Sequence, residues 1–198
     1  RGDTSISTKG INDNNWVFGN TSSSIQEDAG GVDGILEATL KVDHVTSTGD
    51  SSQLGRVIVG QIHATDDEPI RLYYRKLKDH SKGSIYFAHE PRTGDEVYVE
   101  MVGSKSSSAS EPSDGIELGE LFSYKIEVIV DELIVTLIRD GKSDIVKTLD
   151  MSNSGYDDSS QYMYFKAGVY NQNNTGDDED YVQATFYKVE NSHNGYNP

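Results

Sequence analysis

Apolar and polar residues alternate along most of this chain. Ala38-Thr39-Leu40-Lys41-Val42 is one clear case. A period of two is the signature of a strand with one buried face, and helical periodicity is nearly absent. The alternating runs lie near residues 34–44, 56–64, 69–77, 83–90, 95–102, 122–130, 133–139, 144–149, 161–170 and 181–189, with Gly, Asn, Asp and Ser clustered between them. That spacing predicts an all-β chain, a jelly-roll β-sandwich rather than α/β units. Asp140-Gly141 and Thr93-Gly94-Asp95 are the expected turns. Three connections, 46–53, 104–114 and 171–180, are long and polar, as functional lids or mobile segments are. Neither an internal repeat nor a linker interrupts the pattern. Residues 1–190 are therefore read as a single domain and 191–198 as a short polar tail.

Composition narrows the class. Of the 198 residues, 34% are hydrophobic, and no apolar run approaches the ~20 residues needed to span a bilayer. Cysteine is absent, which excludes disulfides and Cys-based metal sites. No positively charged start precedes an apolar segment, so any signal peptide is expected to have been removed or never to have been there. The net charge of −16 repels nucleic acid and anionic membranes and suits solubility in salty surroundings. It also sets a puzzle: a polyanionic substrate would need a locally positive cleft, with the acidic runs elsewhere.

Two segments carry candidate chemistry. In Val57-Ile58-Val59-Gly60-Gln61-Ile62-His63, regular alternation puts Gln61 and His63 on one face and Ile58 and Ile62 on the other. The next strand places Arg71, Tyr73 and Arg75 together, opposite Ile70, Leu72 and Tyr74. In Tyr162 to Gln172, residues Tyr164, Lys166, Gly168, Tyr170 and Gln172 share a face, opposite Phe165, Ala167 and Val169. The polar faces supply an imidazole, an amide, phenols, an ammonium and two guanidiniums. Such a floor suits an acidic sugar chain, because Tyr rings pack on sugar faces and Arg and Lys pair with carboxylates. The plainer reading is a solvated outer face rich in tyrosine for its β-propensity. Alternation by itself leaves both readings open.

Gln61-Ile62-His63 and Tyr164-Phe165-Lys166-Ala167-Gly168-Val169-Tyr170-Asn171-Gln172 resemble the signature motifs of alginate lyases of polysaccharide lyase families seven and eighteen. The nine-residue motif is specific, and both occur in the family's order. Asn14-Asn15-Trp16 and the 38–42 strand are also similar, so the resemblance covers nearly the whole chain. It implies a jelly roll with a substrate groove on the concave sheet and eliminative cleavage of alginate, a polymer of mannuronate and guluronate. It further implies that Gln61 neutralises the substrate carboxylate, His63 acts as or supports the base, Tyr170 serves as acid and also base, and Lys166 binds substrate. Arg71, Tyr73, Arg75, Tyr164, Asn171 and Gln172 complete the expected substrate-binding set. No cofactor or metal is expected. Asp177-Asp178-Glu179-Asp180 offers the oxygen ligands calcium favours, but it is read as a solvated loop, as is Asp66-Asp67-Glu68. His44, His80, His89 and His193 lack metal-ligand spacing and are read as structural or surface residues.

One family signature, Arg-Ser/Thr-Glu-Leu/Val-Arg upstream of the Trp segment, is not found. The six arginines are Arg1, Arg56, Arg71, Arg75, Arg92 and Arg139, and none forms Arg-x-Glu-x-Arg. The expectation is that a cleaved upstream peptide supplies this strand as a partner, beside alginate itself; the alternative is an inactive domain. A bacterial, secreted or periplasmic location is expected. Two rivals remain. One is a non-catalytic acidic-polysaccharide-binding module on the same fold. The other is a retaining glycoside hydrolase, which needs two carboxylates about 5–5.5 Å apart and for which the usual jelly-roll Glu-x-Asp-x-x-Glu spacing is absent.

Overall fold

The computed structural model describes Ser7 and residues 9–194. In chain order the elements are β1 (Trp16–Val17), α1 (Ser23–Asp28), β2 (Gly31–His44), β3 (Arg56–His63), β4 (Ile70–Arg75), β5 (Lys82–His89), β6 (Val97–Val102), β7 (Ile116–Glu117), β8 (Phe122–Ile129), β9 (Glu132–Ile138), β10 (Ile145–Asp150), β11 (Tyr164–Asn171) and β12 (Gln183–Asn194). Every strand expected from the alternation forms. The alternation does not show β1 and β7, which have two residues each, or the six-residue α1, since all three are too short to display a period.

The strands make two sheets. One runs β1-β2-β8-β9-β10, with β12 also paired to β2; the other runs β11-β3-β4-β5-β6, with β7 paired to β5. All ladders are antiparallel except β1–β2. Alternation explains how they stack. In β8, Phe122, Tyr124, Ile126 and Val128 are buried, while Ser123, Lys125 and Glu127 point away. They pack with Leu36, Ala38, Leu40 and Val42 of β2 against Val57, Val59 and Ile62 of β3 and Ile70, Leu72 and Tyr74 of β4. Each fully buried large apolar side chain contributes roughly 1.5–3 kcal/mol. The Tyr124 hydroxyl crosses this core to donate to the Val59 carbonyl at 2.9 Å. Gly60 leaves room for it, since a Cβ there would lie 2.7 Å from that hydroxyl.

The other face of the second sheet carries a smaller apolar layer: Ile58, Tyr73, Tyr86 and Ala88, with Tyr98 against them. Ile58 therefore does not share a face with Ile62, contrary to strict alternation. The β3–β4 register shifts between Ile58 and Gly60, and such a bulge turns all residues on one side of it over. A second bulge in β11, between Ala167 and Tyr170, absorbs two residues opposite one of β3. It ends the regular alternation expected there and leaves Val169 exposed.

The long connections are tied down. The Asp180 carboxylate accepts from the Ser47 and Thr48 amides and the Thr48 hydroxyl, and the Asn173 amide donates to the Thr46 hydroxyl and the Thr48 carbonyl. The 46–53 and 171–180 loops thus form one cross-linked unit rather than two mobile segments. The chain end differs too. Residues 191–194, expected as tail, continue β12 with Asn191 opposite Leu36 and Asn194 opposite Val32; residues 195–198 lie outside the described residues. His193 there is structural: it stacks on Phe165, meets Trp16 at a tilt and bonds the Asp33 carbonyl at 2.7 Å.

Candidate active site

The two candidate segments are neighbours in space. β11 pairs with β3, so that Tyr164 lies opposite His63, Lys166 opposite Gln61 and Tyr170 opposite Ile58. Directly opposed residues of an antiparallel pair project to the same side. Tyr164, His63, Lys166, Gln61, Tyr170 and Ile58 therefore share the face bearing the Tyr73–Tyr86 layer. Gln61, Lys166 and Tyr170 line an open recess of about 400 Å³. Gln61 is 5% exposed, yet its amide bonds to no described residue, whereas Tyr170 is 58% exposed.

His63 sits apart from this recess. On β3, His63 and Ile58, the register partner of Tyr170, are five positions apart, roughly 16 Å along a strand. The ring stacks on Tyr164, centroids 5.1 Å apart, and the Lys166 ammonium lies 5.2 Å from the centroid of that Tyr ring. Its Nδ1 is 2.6 Å from the Ala64 carbonyl and its Nε2 is 3.3 Å from Glu68 Oε1. Glu68 in turn bonds Glu90, and burial followed by that bond pushes its carboxyl above the usual range, against Arg71 and His63. Arg71 pairs with Glu90 at 3.3 Å and more closely with Glu96. The acidic residues are thus not all remote from the groove: Glu68, Glu90 and Glu96 surround its Arg71 end.

Several expected substrate contacts have other partners. The Arg75 guanidinium is 5% exposed and donates to the carbonyls of Lys105 (2.5 Å), Ser51 (2.6 Å) and Ser52 (3.3 Å). It clamps two loops over the sheet and is not a groove cation. Tyr73 is buried and stacked on Tyr86, 4.9 Å between centroids. Burial pushes the Tyr86 hydroxyl up to about 12. Asn171 accepts from the Asn173 amide, shaping the turn that follows β11, and the Gln172 amide donates to the Arg56 carbonyl. Arg139, at the turn that follows β9, is buried beside Asp114.

Two participants were missed. Arg56 lies over the Tyr73 ring at 5.8 Å and makes no ion pair among the described residues. The bulge after Ile58 moves it onto the groove face, which alternation could not foretell. Glu68 was read as solvated; the tight return from His63 to β4, closed by the Ala64 amide on the Asp67 carbonyl at 2.8 Å, folds it back onto the imidazole.

The chain is similar to known proteins over nearly its whole length. The family profile described as alginate lyase matches residues 4–193. An alginate lyase of Klebsiella pneumoniae is 59% identical over 202 residues, covering 98% of this chain; the chain spans 66% of that relative's length. The crystal structure of the Klebsiella pneumoniae alginate lyase superposes with a TM-score of 0.96 at 59% identity, covering 98% of this chain and 71% of that one. An alginate lyase from Pseudomonas aeruginosa gives 0.60 at 28% identity over 83% and 66%. An exolytic alginate lyase of family seven from Zobellia galactanivorans, at 24% identity with a TM-score of 0.68 over 85% and 76%, shares the fold, a β-jelly roll. The chain belongs to the alginate lyase family.

Proposed function

We propose that this chain cleaves alginate by β-elimination, with Gln61, Lys166 and Tyr170 as the centre of the site. The observation that carries the reading is the recess itself. It joins a nearly buried amide without a partner among the described residues, a cation and an exposed phenol on one face. In the reaction, a base takes the proton from the carbon next to the uronate carboxylate. The electron pair forms a double bond to the neighbouring carbon, and the glycosidic oxygen leaves with a proton. Gln61 donates to the substrate carboxylate and stabilises the enolate-like charge. Removing one comparable donor elsewhere costs roughly 3–4 kcal/mol. Lys166 and Arg56 supply the local positive charge that an anionic chain needs on a negative protein. Tyr170 exchanges protons with the sugar, and Tyr164 gives a ring to pack on. The chemistry needs no cofactor, and a polymeric substrate suits a secreted or periplasmic protein.

An upstream strand belongs to the same proposal. β11 is the terminal strand of its sheet, with its outer edge unpaired among the described residues and Val169 and Tyr170 exposed. An open edge of this kind accepts a further strand through main-chain hydrogen bonds. A strand with the Arg-x-Glu-x-Arg pattern, bound along β11, would bring its guanidinium to Gln61. The test is ultraviolet absorbance of unsaturated uronates during incubation with alginate. The chain supplied with that strand produces it at a rate well above the chain without it. A carbohydrate-binding module would retain alginate and produce none, which would end the lyase reading.

A further inference from the structure

We propose that Lys105, held over the Tyr98 ring across the sheet from Gln61, binds the carboxylate of a second uronate of the same polymer. The inference rests on the alginate reading for its ligand and on geometry for its place. Register brings one residue from each of five strands into a row: Lys166 of β11, Gln61 of β3, Arg71 of β4, Ala88 of β5 and Tyr98 of β6. Opposed residues project to one side, so the row crosses the sheet on the face that carries the recess. Neighbouring strands lie about 4.8 Å apart, which puts Tyr98 roughly 14 Å from Gln61. That is the reach of a few sugars, so a polymer held at Gln61 and laid along the row meets Tyr98.

The Lys105 ammonium lies 4.1 Å from the centroid of the Tyr98 ring. Attraction between a cation and an aromatic face holds it there. The side chain is exposed and makes no ion pair among the described residues. Glu100, on the same face, is engaged with the turn instead: its Oε1 accepts from the Lys105 amide at 2.9 Å and the Ser104 hydroxyl at 2.6 Å. The Ser104 amide donates to the Ser84 hydroxyl at 3.2 Å. These contacts fix the turn that presents Lys105 independently of the Arg75 bond to its carbonyl. The other cations of this face divide in two. Arg71 and Arg75 are taken up by carboxylates and by carbonyls. Lys166 lines the recess, and Arg56 lies over Tyr73. Lys105 is left for a carboxylate beyond the recess.

The test is calorimetric titration of the intact chain, Lys105→Ala and Lys105→Arg with three ligands. They are an alginate hexasaccharide, an alginate disaccharide too short to reach from Gln61 to Tyr98, and a hexasaccharide whose carboxylates have been reduced to alcohols. Lys105→Ala weakens the acidic hexasaccharide about three- to fivefold, the scale of one exposed ion pair. It leaves the disaccharide and the neutral hexasaccharide as the parent binds them, and Lys105→Arg keeps the parental affinity. The Tm does not move, because the side chain is exposed. With the upstream strand supplied, Lys105→Ala raises KM by the same factor at unchanged kcat, as loss of binding shared by ground and transition states does. Parental affinity of Lys105→Ala for the acidic hexasaccharide would overturn the proposal. So would an equal loss for the acidic and neutral chains, which would make Lys105 a contact without charge recognition, or a parent that binds neither. If Lys105-dependent binding is found while no preparation forms unsaturated product, the lyase reading fails and the distal carboxylate site stands.

Discussion

β3, β4 and β5 are buried on nearly every residue of both faces, whereas β11, hydrogen-bonded to the same β3, is half-buried at best along its length. The first region has the core on one side and the Tyr73–Tyr86 layer under the Arg75-clamped loops on the other. The second ends the sheet. The proposed site straddles this boundary: Gln61 and His63 are on the packed side, Lys166 and Tyr170 on the open one. Groups that must keep one orientation sit where packing locks them, and groups that meet the polymer sit where a long chain can reach.

The sharpest way to break this contrast is at Tyr170. Tyr170→Phe removes the hydroxyl from an exposed side chain, so the fold should be untouched while kcat falls about 10²- to 10⁴-fold, the usual range for a lost acid–base group. Thermal unfolding and product absorbance measured on one preparation check this. A variant that stays active would move proton transfer to another residue.

The next largest effect separates three arginines. Arg75→Ala should cost about 3 kcal/mol of stability, because the guanidinium bonds three carbonyls and hydrogen bonds to charged groups contribute roughly 1.5–3 kcal/mol. Its KM for alginate should be unchanged. Arg56→Ala should leave stability nearly intact and raise KM several-fold. Arg71→Ala should fall below Arg56→Ala in its effect on KM, since Glu90 and Glu96 already neutralise Arg71. Urea unfolding and steady-state rates sort the three. An Arg75→Ala enzyme of normal stability and raised KM would reverse the assignment.

The smallest effect is a pH dependence. Burial raises the Glu68 carboxyl, and the Glu90 bond adds to it. The folded chain then holds that proton more tightly than the unfolded chain does. Its contribution to stability is fully present below the ordinary glutamate value of about 4.3 and is lost as pH rises through the raised folded value. Asp33, raised mainly by burial, acts in the same direction. The Tm of the parent should therefore carry a component that declines across that window, and Glu68→Gln should flatten part of it. Identical Tm profiles would remove Glu68 from the account.

The sequence by itself determined the strands, their buried faces and the two motifs. Each strand is long enough to show its period, and which residues alternate is a local property. It also led to the family, through nine consecutive residues from Tyr164 to Gln172. Only the tertiary structure decided where that period breaks. A bulge costs one residue and has no signature in composition, yet the shift at Val59 turned Ile58 and Arg56 onto the groove face. Only the tertiary structure, too, showed which charges are free. Arg71 and Arg75 share a parity in β4, but one meets carboxylates on the 90–96 connection and the other meets carbonyls of two separate loops. Such partners are set by loop closure over distances that alternation along one strand does not encode.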